Sequence, residues 1–334
     1  MSVIHFLNVG DGDCSIIEHN SGHITVIDVS CAKTPRPLTE HLMTTVAKSE
    51  RGVYGNFNQK KYPTNPISYM HQRGLASVFR FILTHPDMDH MDGIEAFFKE
   101  FAPVNFWDTD NAEEKSFDDG SNGDFQEDDW WFYKGLRDER PKTDPKRLAL
   151  HSGAAGQYWN RGENSEPGGD GLQILAPTTA LVAAACDSGD YNDCSYVILY
   201  RTGNWKILFA GDSHDATWEQ LLATHKAAVT NVDILIAPHH GRDSERDWEF
   251  LDVVNPRLTF FGNAKSEHLA YQAWSNRDLS IITNNQAGNI IVSTNTDATP
   301  PLLHIYVTCE AYARSVQPNT FYAAAHDAYY WGSL

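Results

Sequence analysis

Apolar residues in this chain gather in short runs, and several of those runs stop abruptly at Asp or His. "VIHFLNV", "CSIIEH" and "HITVIDV" are β-rich and are separated by "GDGD" and "NSG", a pattern that predicts an opening set of antiparallel strands. Helical periodicity follows in "LTEHLMTTVAK" and "PISYMHQRG". "SVFRFIL" then reads as a buried strand, "GIEAFFKEFA" as a helix and "VNFWDT" as another strand. Further on, "LQILAP", "VDILIAP", "RLTFFG" and "LLHIYVT" predict strands. They alternate with helices over "TALVAAACD", "DATWEQLLATHKAA", "DWEFLDVV" and "SEHLAYQAWS". "CSYVILYR" and "WKILFAG" predict a hairpin around "TGN", and "LSIITNNQAGNIIVSTN" predicts a second. The expected fold class is α/β, with two β-rich halves packed face to face, helices outside, and one domain over residues 1–334.

Between residues 108 and 170 the texture changes. "DTDNAEEKSFDDGSNGDFQEDDWW" is densely acidic and "RGENSEPGGDG" is rich in Gly, Glu and Asn. This stretch reads as an insertion or cap within the domain, either a solvated loop excursion or a substrate lid. Its cluster of Trp130, Trp131, Phe132 and Tyr133 predicts packing onto another surface, and a protein partner is one such surface.

The formal net charge of −18 opposes sequence-independent binding to a nucleic-acid duplex. It leaves room for nucleotide chemistry inside a pocket, where bound cations dominate the local field. The five Cys are scattered without a Cys-x-x-Cys spacing, so neither a disulfide framework nor a thiolate zinc knuckle is expected. The amino terminus has no signal-peptide pattern, and no apolar run approaches the ~18–20 residues that span a bilayer. The expectation is a cytoplasmic protein without a membrane segment.

Candidate chemistry lies at the strand ends. In "THPDMDH", His85, Asp87, Asp89 and His90 follow the "SVFRFIL" strand directly, and imidazole with carboxylate suits Zn²⁺, Mn²⁺ or Fe²⁺. The bland alternative is a polar turn with an Asp capping the next helix. "KILFAGD" ends in Asp212, "DILIAPHHGR" in His239 and His240, and "LTFFGNAKSEH" leads to His268. Each of these alone could be a helix cap or a structural histidine; it is their recurrence that points to a metal centre.

The order of these pieces resembles the metallo-β-lactamase fold hydrolases, and within them the soluble relatives of the ComEC-type competence proteins. "FLNVGDGDCSII", "ITVIDVS", "LTHPDMDHMDG", "NDCSYVILY", "KILFAGD", "VDILIAPHHGR", "FFGNAKSEH" and "IITNNQAGNIIV" carry the resemblance. It implies a four-layer αβ/βα sandwich and two divalent ions, Zn²⁺ or Mn²⁺ with Mg²⁺ as a third possibility. His85 and Asp87 would serve one ion, Asp89 and His90 the other, with Asp212 bridging. His239, His240 and His268 would complete the shells or sit beside them, and Asp13 and Asp28 would orient ligating imidazoles. Two departures matter. Asp87 stands where most of the superfamily has His, and "YNDCS" replaces a usual His, leaving Asn192 or Asp193 as substitutes. Arg242 is a candidate contact for an anionic substrate.

The implied activity is that of a metal-dependent hydrolase using a metal-bound hydroxide. A phosphodiesterase or nuclease acting on nucleic acid or nucleotides is favoured. Asp89 would act at the metals and His240 or His268 would protonate the leaving group. The alternatives are an amide or ester hydrolase of lactamase or lactonase type, and a metal-stabilised regulatory component that binds a partner.

Overall fold

The computed structural model describes the chain outside residues 34–42, 49–54, 119, 121, 140–143, 157–168, 245, 265–267 and 296–300. The described strands are β1 (Val3–Phe6), β2 (Ser15–Glu18), β3 (Ile24–Ile27), β4 (Arg80–Ile82), β5 (Asn105–Asp108) and β6 (Lys146–Ala149). After them come β7 (Leu172–Ala176), β8 (Val197–Thr202), β9 (Trp205–Phe209), β10 (Ile234–Ile236) and β11 (Leu258–Phe261). The last are β12 (Ile281–Thr283), β13 (Ile290–Asn295), β14 (Leu302–Val307), β15 (Tyr322–Ala323) and β16 (Ala328–Ser333). They form two sheets, ordered β15-β16-β14-β13-β1-β2-β3-β4-β5-β6 and β12-β11-β10-β9-β8-β7.

Alternation along the strands builds the layers, because successive side chains leave opposite faces. Phe6, Ile17 and Ile82 of the larger sheet meet Ile198, Phe209 and Phe260 of the smaller one in a shared core. The rings of Phe6 and Phe260 lie 6.1 Å apart across it. Ile16, Val26 and Phe81 face the other way, onto helices Pro66–Gln72, Ile94–Phe101 and Glu127–Asp138. Leu199, Leu208 and Leu235 likewise face Trp218, Leu251 and Trp274 on the outer helices of the smaller sheet. The result is helices, sheet, sheet, helices: the four-layer αβ/βα sandwich that the resemblance implied.

Strands β3 to β6 run parallel, as do β9 to β12. The segments leaving the carboxyl ends of β3, β4, β9 and β10 carry Asp28, His85, Asp212 and His239–His240, and side-chain contacts bring these residues together. Open α/β sheets bind ligands at such carboxyl edges.

The hairpin expected over "LSIITNNQAGNIIVSTN" does not form. β12 belongs to the smaller sheet and β13 to the larger, with a short helix Asn284–Ala287 between them. Thr283 and Gln286 make a capping box that starts this helix, so the Asn/Gly-rich stretch is a crossing between sheets.

Within residues 108–170, the helix Glu127–Asp138 packs tightly. Trp130 and Tyr133 are buried, while Trp131 stays exposed. The Asp129 carboxylate accepts hydrogen bonds from the backbone N–H groups of Gly93 and Glu95, satisfying the start of the helix that follows the His/Asp motif. Residues 161–168 of the Gly/Glu-rich stretch lie outside the described residues. No described helix is long and apolar enough to cross a membrane.

Candidate metal centre

Asp28 organises the first part of the site. Its Oδ1 accepts from the Thr84 backbone N–H at 2.7 Å, and its Oδ2 from the Thr84 hydroxyl at 2.7 Å. Oδ2 also lies 2.8 Å from His90 Nδ1, which donates to it. The Thr84 hydroxyl donates its hydrogen bond to Asp28, so its oxygen is free to accept from His85 Nδ1 at 3.1 Å. In their neutral form both imidazoles therefore carry the proton on Nδ1 and turn an Nε2 lone pair inward. Asp13 does the same for His240, with Oδ1 3.0 Å from Nδ1. Gly12 keeps this region close: a Cβ there would stand 1.8 Å from the Asp89 carbonyl oxygen.

The inward atoms converge. His90 Nε2 is 3.2 Å from Asp212 Oδ1, and His85 Nε2 is 3.9 Å from Asp212 Oδ2. His240 Nε2 is 3.4 Å from Asp89 Oδ2 and 3.6 Å from Asp212 Oδ2. His85 Nε2, His90 Nε2, His240 Nε2 and Asp212 Oδ1 are buried without a hydrogen-bond partner. Such atoms are costly unless something else engages them. Three groups have ligand atoms within 4.8 Å of one another: His85–His90–Asp212, Asp89–His90–His240 and Asp13–Asp212–His240. Nitrogen lone pairs and carboxylate oxygens aimed at one point fit a divalent cation.

Without a cation, the charges answer each other. Burial opposes charging His240, but Asp212 and Asp13 outweigh it and push its pKa up to about 10. Burial likewise opposes charge on His90, and Asp212 and Asp28 hold it well above the ordinary range. Asp212 is buried too, yet the facing His240, His90 and His239 keep its carboxyl well below the usual value.

His239 is built differently. The Arg246 guanidinium can only donate, and its Nη2 lies 3.2 Å from His239 Nδ1. The His239 proton therefore sits on Nε2, which faces Asp212 Oδ2 at 3.6 Å. Burial brings the pKa of this imidazole down to about 4, so it is neutral at pH 7. His239, His240 and Gly241 have successive φ angles of 51°, 57° and 85°. Two non-glycine residues in left-handed backbone cost roughly 1–2 kcal/mol each, a strain found at functional sites.

The other expected residues lie around this cluster. Asp87 stands at its edge, with Oδ2 3.5 Å from His85 Nε2 and Oδ1 3.0 Å from Lys115 Nζ. Asn192 Nδ2 lies 3.3 Å from His214 Nε2, and the Asp193 carbonyl accepts from the Thr217 hydroxyl. Asp193 joins no ligand group among the described residues, and the Asn192 Oδ1 is buried without a hydrogen-bond partner. His268 is exposed, and its carbonyl accepts from the Asp243 N–H; it joins no ligand group either. Arg242 is partly exposed and pairs through its backbone with Leu269.

Four residues at the site were not singled out from the sequence: Thr84, Lys115, His214 and Arg246. His214 alone had a local signal, since it follows the strand-ending Asp212 by two residues. Its Nε2 lies 3.5 Å from His239 Nδ1, and its Nδ1 lies 3.1 Å from Asp190.

The class these features define is an αβ/βα sandwich with a His/Asp cluster at the carboxyl edges of its sheets, a candidate site for a cation. No family model and no curated protein matches the chain. Among solved structures it is similar to a mutant of the β-hydroxylase CmlA, at 11% identity and a TM-score of 0.45, over 87% of this chain and 53% of that one. The chain thus spans about half the length of that protein. It is also similar to a diphosphatase of the PhnP family, at 14% identity and a TM-score of 0.40, over 85% of this chain and 94% of that one. A third is the metallo-β-lactamase SMB-1, at 15% identity and a TM-score of 0.33, over 71% of this chain and 76% of that one.

Proposed function

We propose that the protein is a divalent-metal-dependent hydrolase whose substrate is a phosphodiester of nucleic-acid or nucleotide type. The observation that carries the metal-dependent part is the convergence of four buried, unpartnered ligand atoms on His85, His90, His240 and Asp212. Asp89, His90, Asp212 and His240 would hold the ion, with Asp13 and Asp28 fixing the imidazoles. When bound, a divalent ion supplies Lewis acidity, polarising a phosphoryl oxygen and letting water ionise near neutral pH.

The chain's own groups support an anionic substrate. The open side of the cluster is at Asp87, Asp89 and His239, whose side chains are 39%, 21% and 17% exposed, while His85, His90 and His240 are fully buried. Lys115 and Arg246 are held on that side although the protein as a whole is strongly acidic. The neutral His239 presents an Nε2–H that can donate to a phosphoryl oxygen or to the leaving oxygen. Local cations beside a metal centre let an acidic protein approach a phosphodiester. The ComEC-like sequence pattern favours the same substrate class.

The test is turnover of a panel by metal-free and metal-reconstituted protein: single- and double-stranded DNA, RNA, cyclic nucleotides, a lactam and a lactone. Metal-dependent cleavage of a phosphodiester, lost in Asp89→Ala and Asp212→Ala, is expected. Turnover of the lactam or lactone alone would move the protein to the amide and ester class.

A further inference from the structure

Lys115 is the unusual group beside this centre. It comes from the acidic stretch after β5, and only 12% of its side chain is exposed. Its Nζ lies 3.0 Å from Asp87 Oδ1, 3.4 Å from Glu113 Oε1 and 5.8 Å from the centroid of the buried Trp130 ring. Lysine is seldom so enclosed unless it is paired. Here it is paired with the carboxylate that also touches His85, so the ammonium stands one side chain away from the cation cluster.

The donors divide unevenly between the two ends of that cluster. At one end Asp89, His90 and His240 form one ligand group, Asp212 lies 3.2 Å from His90 and 3.6 Å from His240, and the two carboxylates match the charge of one divalent ion. At the other end His85 groups with His90 and Asp212, but His90 has a single Nε2 lone pair to give to one ion; apart from its 3.9 Å share of Asp212, His85 is left with Asp87 at 3.5 Å. The charge of Asp87 is already met by Lys115. A second ion beside His85 would face that ammonium across a single carboxylate, and like charges so close in a partly buried site repel strongly.

We propose that Lys115 takes the place of a second tightly bound cation: the centre holds one divalent ion, on Asp89, His90, Asp212 and His240, and the Lys115 ammonium balances Asp87 at the His85 end. This inference rests on the metal-centre reading above. It makes Lys115 a positioning residue for Asp87 and a determinant of metal stoichiometry.

The test counts metal and does not need activity. Metal-free protein is titrated with Co²⁺, followed by its d–d absorbance, and zinc-loaded protein is measured by mass spectrometry of the element after exhaustive dialysis. The wild type should saturate at about one equivalent, Lys115→Met at about two and Lys115→Arg at about one, since a four-donor shell takes one ion. Two tight equivalents in the wild type would overturn the proposal and leave the metal-centre reading intact, as would a folded Lys115→Met that still stops at one. No tight ion in the wild type would overturn both. Where Lys115→Met does not fold, Lys115→Gln, which keeps a polar side chain without the charge, is counted in its place and should also take about two; a folded Lys115→Gln that stops at one would overturn the proposal.

Discussion

Asp28 and His90 form a single buried unit: Asp28 Oδ2 lies 2.8 Å from His90 Nδ1, and this contact turns His90 Nε2 toward Asp212. The carboxylate fixes both the tautomer and the plane of the ring. Asp28→Ala should therefore weaken metal binding about 10- to 100-fold while the fold persists. Competition against a chromophoric chelator reads this directly, with circular dichroism as the control for folding. An unchanged affinity would mean that the imidazole does not depend on Asp28.

Protons and metal compete for the same nitrogens. In the metal-free protein, Asp212 and Asp13 overcome the effect of burial and hold His240 at about 10, well above its usual 6.5, and His90 is raised in the same way. A raised imidazole contributes stability that is complete below 6.5 and is lost as pH climbs through about 10. A metal ion takes the neutral ring, so binding releases protons. Affinity should therefore increase from pH ~6 to ~9, and calorimetry in buffers of different ionisation enthalpy should show net proton release. A pH-independent affinity would contradict the assignment of these rings as ligands.

Gly12 is where the first loop touches the His/Asp motif. Its φ is +91°, and a Cβ there would come within 1.8 Å of the Asp89 carbonyl oxygen. Gly12→Ala must strain its own backbone and push Asp89 away. The expected outcome is a loss of at least ~1 kcal/mol in stability together with reduced metal retention. Thermal denaturation and metal analysis after dialysis check the two effects separately.

Much of the centre was legible in the sequence, because His85, Asp212 and the His239–His240 pair each come at the end of an apolar strand, while Asp28 entered only through the family resemblance. Strand ends on one edge of two sheets converge, so sequence order carries spatial information there. Lys115 was not legible. It lies among acidic residues, and its contact with Asp87 is created by packing of the segment after β5. The role of Asp129 was hidden for the same reason, since it caps backbone groups 34 and 36 residues away. The failed hairpin is a different case. "TNNQ" contains the Thr-x-x-Gln signature of a helix start, and the neighbouring Asn and Gly residues masked it as a turn.

Asp170 anchors the end of the acidic stretch to the larger sheet. It accepts from buried Arg80 at 2.6 Å and from Ser21 at 2.6 Å, and His23 lies 2.9 Å away. Asp170→Ala would leave the guanidinium of Arg80 uncompensated in the interior. The expected destabilisation is about 3–5 kcal/mol, measured by urea unfolding. A change under ~1 kcal/mol would show the pair to be dispensable.

The most direct test of the central claim is hydrolysis of bis(p-nitrophenyl) phosphate by one preparation, assayed metal-free, after addition of Zn²⁺ or Mn²⁺, and as Asp212→Ala with the same metal. The account predicts turnover only in the metal-loaded wild type, with Asp212→Ala folded and inactive. Full turnover by the metal-free protein, or by Asp212→Ala, would contradict it.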